Sequence, residues 1–337
     1  MFHDLQLHAV RSVVIFFLLL FCGLIQGCGK PADVVNTKKD DAGKTTLHEA
    51  DGNGNIDVVE SPVEEKKPEV NTKDNDGKTV LHDAAENGNL DDVRLLVEKG
   101  ADVNVKDNKG VTVLHYAAMN KNIDVIKYLI TKAADINAKT DYGMTILHVA
   151  ALNGNTDVVK FLVEEKELDV NAKNVNGWTV FHWVAMNGNL NDVKSFVEKR
   201  GADVNAKDND GSTALHYAAM NENTDNIDVI KYLVEKGADA NTKTNKGGTV
   251  LHSAAWNGNA NVIKYLVENK GLDVNAKNND GETVLHSAAW SGDADVIKYL
   301  VEKGADVNAK ENDGKTPLDV ATTEEAKQIL RDSIKPN

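Results

Sequence analysis

A six-residue phrase, Gly-x-Thr-x-Leu-His or a close variant, returns along this chain at intervals of 33 to 36 residues. Its histidines are His48, His82, His115, His148, His182, His216, His252 and His286, and Asp319 stands where a ninth would fall. A fixed period of this length describes a stack of small units, each burying its apolar side only against its neighbours. No single globular core can be built on that pattern. A length of 337 residues would suggest about two ordinary domains, but unit count overrides that reading, and one elongated domain is expected.

The local signals inside a unit agree with one another. Thr79 is placed to cap a helix over 80–87, Gly88 to end it, Asn89 to cap a second helix and Gly100 to end that. Leu81, Ala84, Ala85, Val93, Leu96 and Val97 fall on the faces that neighbouring helices must cover, and the Ala-Ala pair lets those helices approach closely. Strings such as Ala101-Asp102-Val103-Asn104 and Asp107-Asn108-Lys109-Gly110 are turn chemistry. The expected units are 74–106, 107–139, 140–173, 174–207, 208–243, 244–277 and 278–310, with an insertion near Glu222-Asn223-Thr224. A degenerate unit over 40–73, broken by Pro62 and Pro68, is expected to cap the amino end. A partial unit over 311–337 should cap the other end, with Thr322 and Glu325 as a capping box and Glu324, Lys327, Gln328 and Arg331 as a wet face.

The stretch from Asn205 through Thr213-Ala-Leu-His216-Tyr-Ala-Ala, followed by Val229-Ile-Lys-Tyr-Leu-Val-Glu-Lys-Gly237-Ala-Asp, closely resembles the ankyrin repeat, and the resemblance covers about residues 40–337. The proline usual between Thr and Leu survives only as Pro317, the other units carrying Val80, Val113, Ile146, Val180, Ala214, Val250 and Val284. The resemblance implies an all-α solenoid of helix-turn-helix units with projecting β-turn fingers. It implies that each histidine ties its turn together through hydrogen bonds. It also implies a non-enzymatic scaffold that binds a protein partner through finger tips and the exposed side of the first helices.

The formal net charge is −14, a surface that repels phosphate backbones, so nucleic acid is not an expected partner. Both cysteines, Cys22 and Cys28, lie in an apolar leader, which leaves the repeats without disulfides, thiolate metal sites or a cysteine nucleophile. In that leader Arg11 precedes an apolar run from Val13 to Ile25, too short to cross about 30 Å of hydrocarbon as a helix but suited to a signal peptide over 1–27. The ending Leu24-Ile25-Gln26-Gly27-Cys28 resembles a bacterial lipobox, which implies lipidation of Cys28 after cleavage at Gly27 and a membrane contact through that terminus alone. Ordinary signal cleavage and an uncleaved anchor are the alternatives. Residues 29–39 read as a polar tether, and a monomer is expected.

The periodic histidines invite a metal reading, but stacked helices lie about 8–10 Å apart. Zinc–nitrogen bonds are about 2 Å long, so rings of adjacent units cannot readily share an ion. Asp102, Asp135, Asp169, Asp203, Asp239, Asp273 and Asp306 are likewise one per unit, whereas a hydrolase needs an asymmetric cluster. Phosphate-binding and nucleophile-elbow motifs are absent, so no cofactor, no metal and no enzymatic activity are expected. What breaks the period is more informative. After each His-x-Ala-Ala or its variant stand Glu86, Met119, Leu152, Met186, Met220, Trp256 and Trp290, and the fingers add Tyr142, Met144, Val175 and Trp178. Such a strip is either a partner-binding face or packing between first helices, with Trp183 the strongest case for packing. The leading functional reading is an exported, lipid-tethered protein-binding scaffold. A secreted bacterial effector acting on host proteins and a periplasmic enzyme regulator are the alternatives.

Overall fold

The computed structural model describes residues 70–221 and 227–334. The leader, Cys28, the tether, His48 with its degenerate unit, and the insertion at Glu222–Thr224 lie outside the described residues. Units are referred to below by their framework histidine.

Helices come in pairs. In chain order they are α1 (Val80–Asn87), α2 (Leu90–Glu98), α3 (Val113–Met119), α4 (Ile123–Thr131), α5 (Ile146–Leu152), α6 (Thr156–Lys160), α7 (Val180–Asn187), α8 (Leu190–Lys199), α9 (Ala214–Ala219), α10 (Ile227–Glu235), α11 (Val250–Trp256), α12 (Ala260–Lys270), α13 (Val284–Ser291), α14 (Ala294–Glu302), α15 (Pro317–Val320) and α16 (Glu324–Ser333). Each first helix packs on the first helix of the next unit and on its own partner, as in α1 on α3 and α2. Helices of six to eight residues, as α1, α3 and α9 are, would not persist alone in water, so packing holds them. Leu81, Ala84, Ala85, Val93 and Leu96 are buried, and the same alanine pair is buried in α11 and α13. No described helix is long and apolar enough to cross a membrane.

The Thr-x-x-His string begins every full first helix. Thr is the N-cap, in extended backbone, and the histidine three residues on reaches back to it. In the seven described units the Thr backbone N–H donates to histidine Nδ1 over 2.9–3.3 Å. An Nδ1 that accepts leaves the proton on Nε2. Accordingly, Nε2 of His115, His148, His252 and His286 donates to the next unit's carbonyl at Met144, Trp178, Glu282 and Lys315, over 3.1–3.2 Å. One ring thus satisfies a helix terminus and joins two units. In His82, His182 and His216 the second bond is missing. Tyr116 and Tyr217 stand edge-on to His82 and His182, whose Nε2 atoms have no hydrogen-bond partner. Burial pushes His82, His115, His148, His182 and His216 down to about 4, so all five are neutral at pH 7.

The fingers between units are closed by single antiparallel bridges such as Lys106 with Thr112 and Lys243 with Thr249. Their tips are tied across units: the Asn108 backbone N–H donates to Asp76 O over 2.9 Å and its side-chain amide to Asn75 O over 3.0 Å. Asn209, Asn245, Asn279 and Asn312 repeat both bonds. The glycine before each contact is required twice over. At Gly77, φ is +81°, and a Cβ would lie 2.7 Å from the Asn108 backbone nitrogen.

The outer face carries a second ladder. The cation of one unit lies over the ring of the next, as Arg94 over Tyr128, Lys127 over Phe161, Lys231 over Tyr265 and Lys264 over Tyr299, at 5.2–6.0 Å. A second lysine from the ring's own helix end covers it, as Lys270 does Tyr265. Ser195 interrupts this ladder. Arg200, in the register of Lys270, finds no ring at 195 and lies over Phe196 instead, at 5.0 Å. Its side chain is 3 % exposed, Nη2 is 3.5 Å from Glu164, and Nε and Nη1 have no hydrogen-bond partner. In the preceding unit the second helix closes with a π-helical turn over Phe161–Glu165, and Glu167 stands at φ 55°.

The carboxy end departs from expectation by one residue. Thr323, not Thr322, caps α16 by accepting from the Ala326 N–H, while the Thr322 hydroxyl donates to Trp290 O over 3.0 Å. Asp319 replaces the histidine at the preceding cap, its carboxylate accepting from the Thr316 N–H over 2.8 Å and hydroxyl over 2.7 Å.

Candidate binding face

The first helices and the fingers leading into them present three columns, one residue per unit. One is the finger residue before the capping threonine, the second follows the histidine, and the third follows the alanine pair. The second and third columns are three residues apart and so share a helix face.

The third column holds Met119, Leu152, Met186, Met220, Trp256 and Trp290, and all six are partly exposed. Trp256 and Trp290, from adjacent units, are stacked with ring centroids 4.0 Å apart and planes 16° from parallel. Each therefore covers part of the other and presents its remaining surface beside the second column. At the finger tips Tyr142 is 37 % and Val175 is 54 % exposed. These two tips adjoin, since the Val175 N–H donates to Tyr142 O over 3.1 Å, and here no asparagine side chain continues the cross-unit ladder.

Two residues expected on that exposed strip are elsewhere. Met144 and Trp178 are buried. Both belong to the finger column, and both carbonyls accept from the histidine of the preceding unit. The Trp178 ring lies 4.3 Å from Trp183 and 4.2 Å from Tyr217, between two units, and the Met144 sulfur receives the Asn174 amide at 3.4 Å. Trp183 itself is buried with them. Tyr217 donates its hydroxyl to Asp208, and Tyr116 likewise to Asp107 over 2.9 Å, so each tyrosine also anchors its own finger.

The sequence reading overlooked the small residues. In the finger and second columns, Gly248, Ser253 and Ser287 occupy the registers of Trp178, Trp183 and Tyr217. Their signal was present in the sequence, in columns read for what is missing as well as for what is large. Among the described residues no group of three or more His, Cys, Asp or Glu side chains could hold a metal ion.

A family model described as ankyrin repeats (3 copies) matches residues 8–107, 102–174, 162–244, 181–278, 225–311 and 251–332. No curated protein matches the chain.

Proposed function

From a chain that belongs to the ankyrin repeat family, a family of protein–protein interaction modules, we propose a scaffold that binds a protein partner through the third column and the adjoining finger tips. The observation that carries this reading is the unbroken run of six apolar, partly exposed side chains from Met119 to Trp290. Aromatic and methionine side chains gathered on solvent-facing positions mark an interface, and tryptophans are frequent centres of binding energy. Tyr142 extends the face at the tips.

The test is cross-linked capture of a partner with the full chain, followed by its affinity for the double variant Trp256→Ser, Trp290→Ser. A loss of about 2–4 kcal/mol in binding with the fold retained is expected. Undiminished affinity in a folded double variant would move the site to Tyr142 and Val175, and unfolding of the variant would assign the two rings to packing.

The partner would be met outside the cytoplasm, with the chain exported and held by lipid on Cys28. This rests on the apolar run Val13–Ile25 and the Leu24–Cys28 ending. Replacement of Cys28 by Ser is expected to abolish palmitate labelling and membrane association while leaving the repeats folded. A variant still wholly in the membrane fraction would favour an uncleaved anchor.

A further inference from the structure

In the His182 unit the finger indole of Trp178 fills the space between Trp183 and Tyr217 of the next unit. Two units on, the same three registers hold Gly248, Ser253 and Ser287, so three rings are exchanged for a hydrogen atom and two hydroxymethyl groups. The layer beneath stays buried but is slightly less covered as a result. Thr249 and His252 are 7 % and 8 % exposed, whereas Thr179 and His182 are each at 1 %. Ser287 is partly exposed too. Trp256 and Trp290, each three residues beyond a notch serine and therefore on the same helix face, form a stacked wall beside it.

We propose that this notch between the His252 and His286 units receives one planar aromatic side chain of the protein partner, tryptophan above all. The partner supplies the ring that Trp178 supplies from within the chain. The inference rests on the protein-binding reading of the face and names the chemistry of its central contact. The space suits an indole because an indole fills its equivalent. The wall of tryptophan offers the offset or tilted ring contacts seen at Trp178, and serine hydroxyls beside it suit a ring with a polar edge. An aliphatic side chain would leave those hydroxyls facing hydrocarbon.

The chain has four tryptophans, which makes it its own probe. The full chain labelled with 5-fluorotryptophan is titrated with N-acetyl-tryptophan amide, and in parallel with the amides of N-acetyl-leucine and N-acetyl-arginine. The tryptophan probe is expected to shift the Trp256 and Trp290 fluorine signals saturably while Trp178 and Trp183, in the filled equivalent, stay still. Two variants plug the notch. Gly248→Trp copies Trp178 onto a backbone of ordinary φ, where a new Cβ meets only the Thr244 side chain, its oxygen at 3.2 Å. Ser287→Tyr copies Tyr217 independently. Each should weaken the probe by about tenfold or more, the loss of roughly one aromatic contact set. An equal response to leucine or arginine amide overturns the proposal, and so does an undiminished response in both plugged variants. If the probe moves nothing while a cross-linked partner still maps to Trp256 and Trp290, the notch is refuted and the binding face stands. If the probe seats but no partner is captured by the face, the notch is supported and the protein-binding reading is the one that fails.

Discussion

The His182 and His252 units share a cap, a histidine and a helix pair, yet they use their rings differently. The His182 unit packs Trp178 and Trp183 into the inner face and leaves the outer ladder without a ring at Ser195. The His252 unit carries Gly248 and Ser253 inside and Tyr265 outside, between Lys231 and Lys270. The Thr–His cap forms in both units, with Trp178 and Tyr217 lying against His182 in the first. In the first unit aromatic surface is spent on internal cohesion, and in the second it is left to be covered by something else. A solenoid can therefore separate stability from recognition unit by unit, which a protein with one core cannot do.

The largest expected effect comes from what both units share, and it sets the baseline for the contrast. Five buried histidines titrate near 4 in the fold against about 6.5 when unfolded, so their contribution is complete above pH 6.5 and is lost as pH falls from there towards 4. Unfolding in that window should take up close to five protons, a slope of roughly 7 kcal/mol per pH unit. His182→Gln should remove about one proton from the slope measured by denaturant titrations at a series of pH values. A slope that the substitution leaves unchanged would mean that His182 is already charged in the fold.

Next in size is the contrast itself. Trp178→Ala should cost about 3–5 kcal/mol of unfolding free energy, because it empties a filled site between two units. Trp256→Ala, at a partly exposed position, should cost about 1 kcal/mol. Equal losses in chemical denaturation would erase the distinction between a cohesive and an offered ring.

A smaller effect has the opposite sign. Arg200→Met keeps the stem over Phe196 and removes the orphaned guanidinium N–H groups, so the midpoint should rise by the equivalent of about 1–2 kcal/mol. A fall would show that the Glu164 contact outweighs the burial. The smallest change, Ser195→Tyr, rebuilds the outer ladder and should add about 0.5–1 kcal/mol while returning Arg200 to the surface. Its midpoint should move little if Arg200 is first made Met, since the two changes act on one packing fault.

The period and the caps were legible in the sequence because they are local chemistry. Thr79 and Gly88 bound α1 and Asn89 caps α2 as their residue types require. The one-residue error at Thr322 arose where two adjacent threonines are both able to cap, and both donate to the preceding unit, to Trp290 O and Gly292 O. The strip of partly exposed apolar residues was legible as a column, whereas Met144 and Trp178 were not. Whether a finger residue faces solvent or lies on the helices depends on what it meets in the neighbouring unit, as Trp178 meets Tyr217 and Met144 meets Asn174, which no local pattern encodes. The notch was hidden for another reason: glycine and serine give no apolar signal, and their meaning depends on the rings in the same registers elsewhere.

The tied finger tips also make the array readable in time. The backbone N–H groups of Asn108, Asp141, Val175, Asn209, Asn245, Asn279 and Asn312 each donate across a unit boundary, to Asp76, Lys109, Tyr142, Asn176, Asp210, Lys246 and Asp280. Such a proton exchanges with solvent only when two neighbours part, whereas the helical amides of a unit report on that unit melting. The row is a set of seven clocks, one at each of these joints, so deuterium labelling can show which joint opens first and whether an occupied notch slows the clock at Asn279.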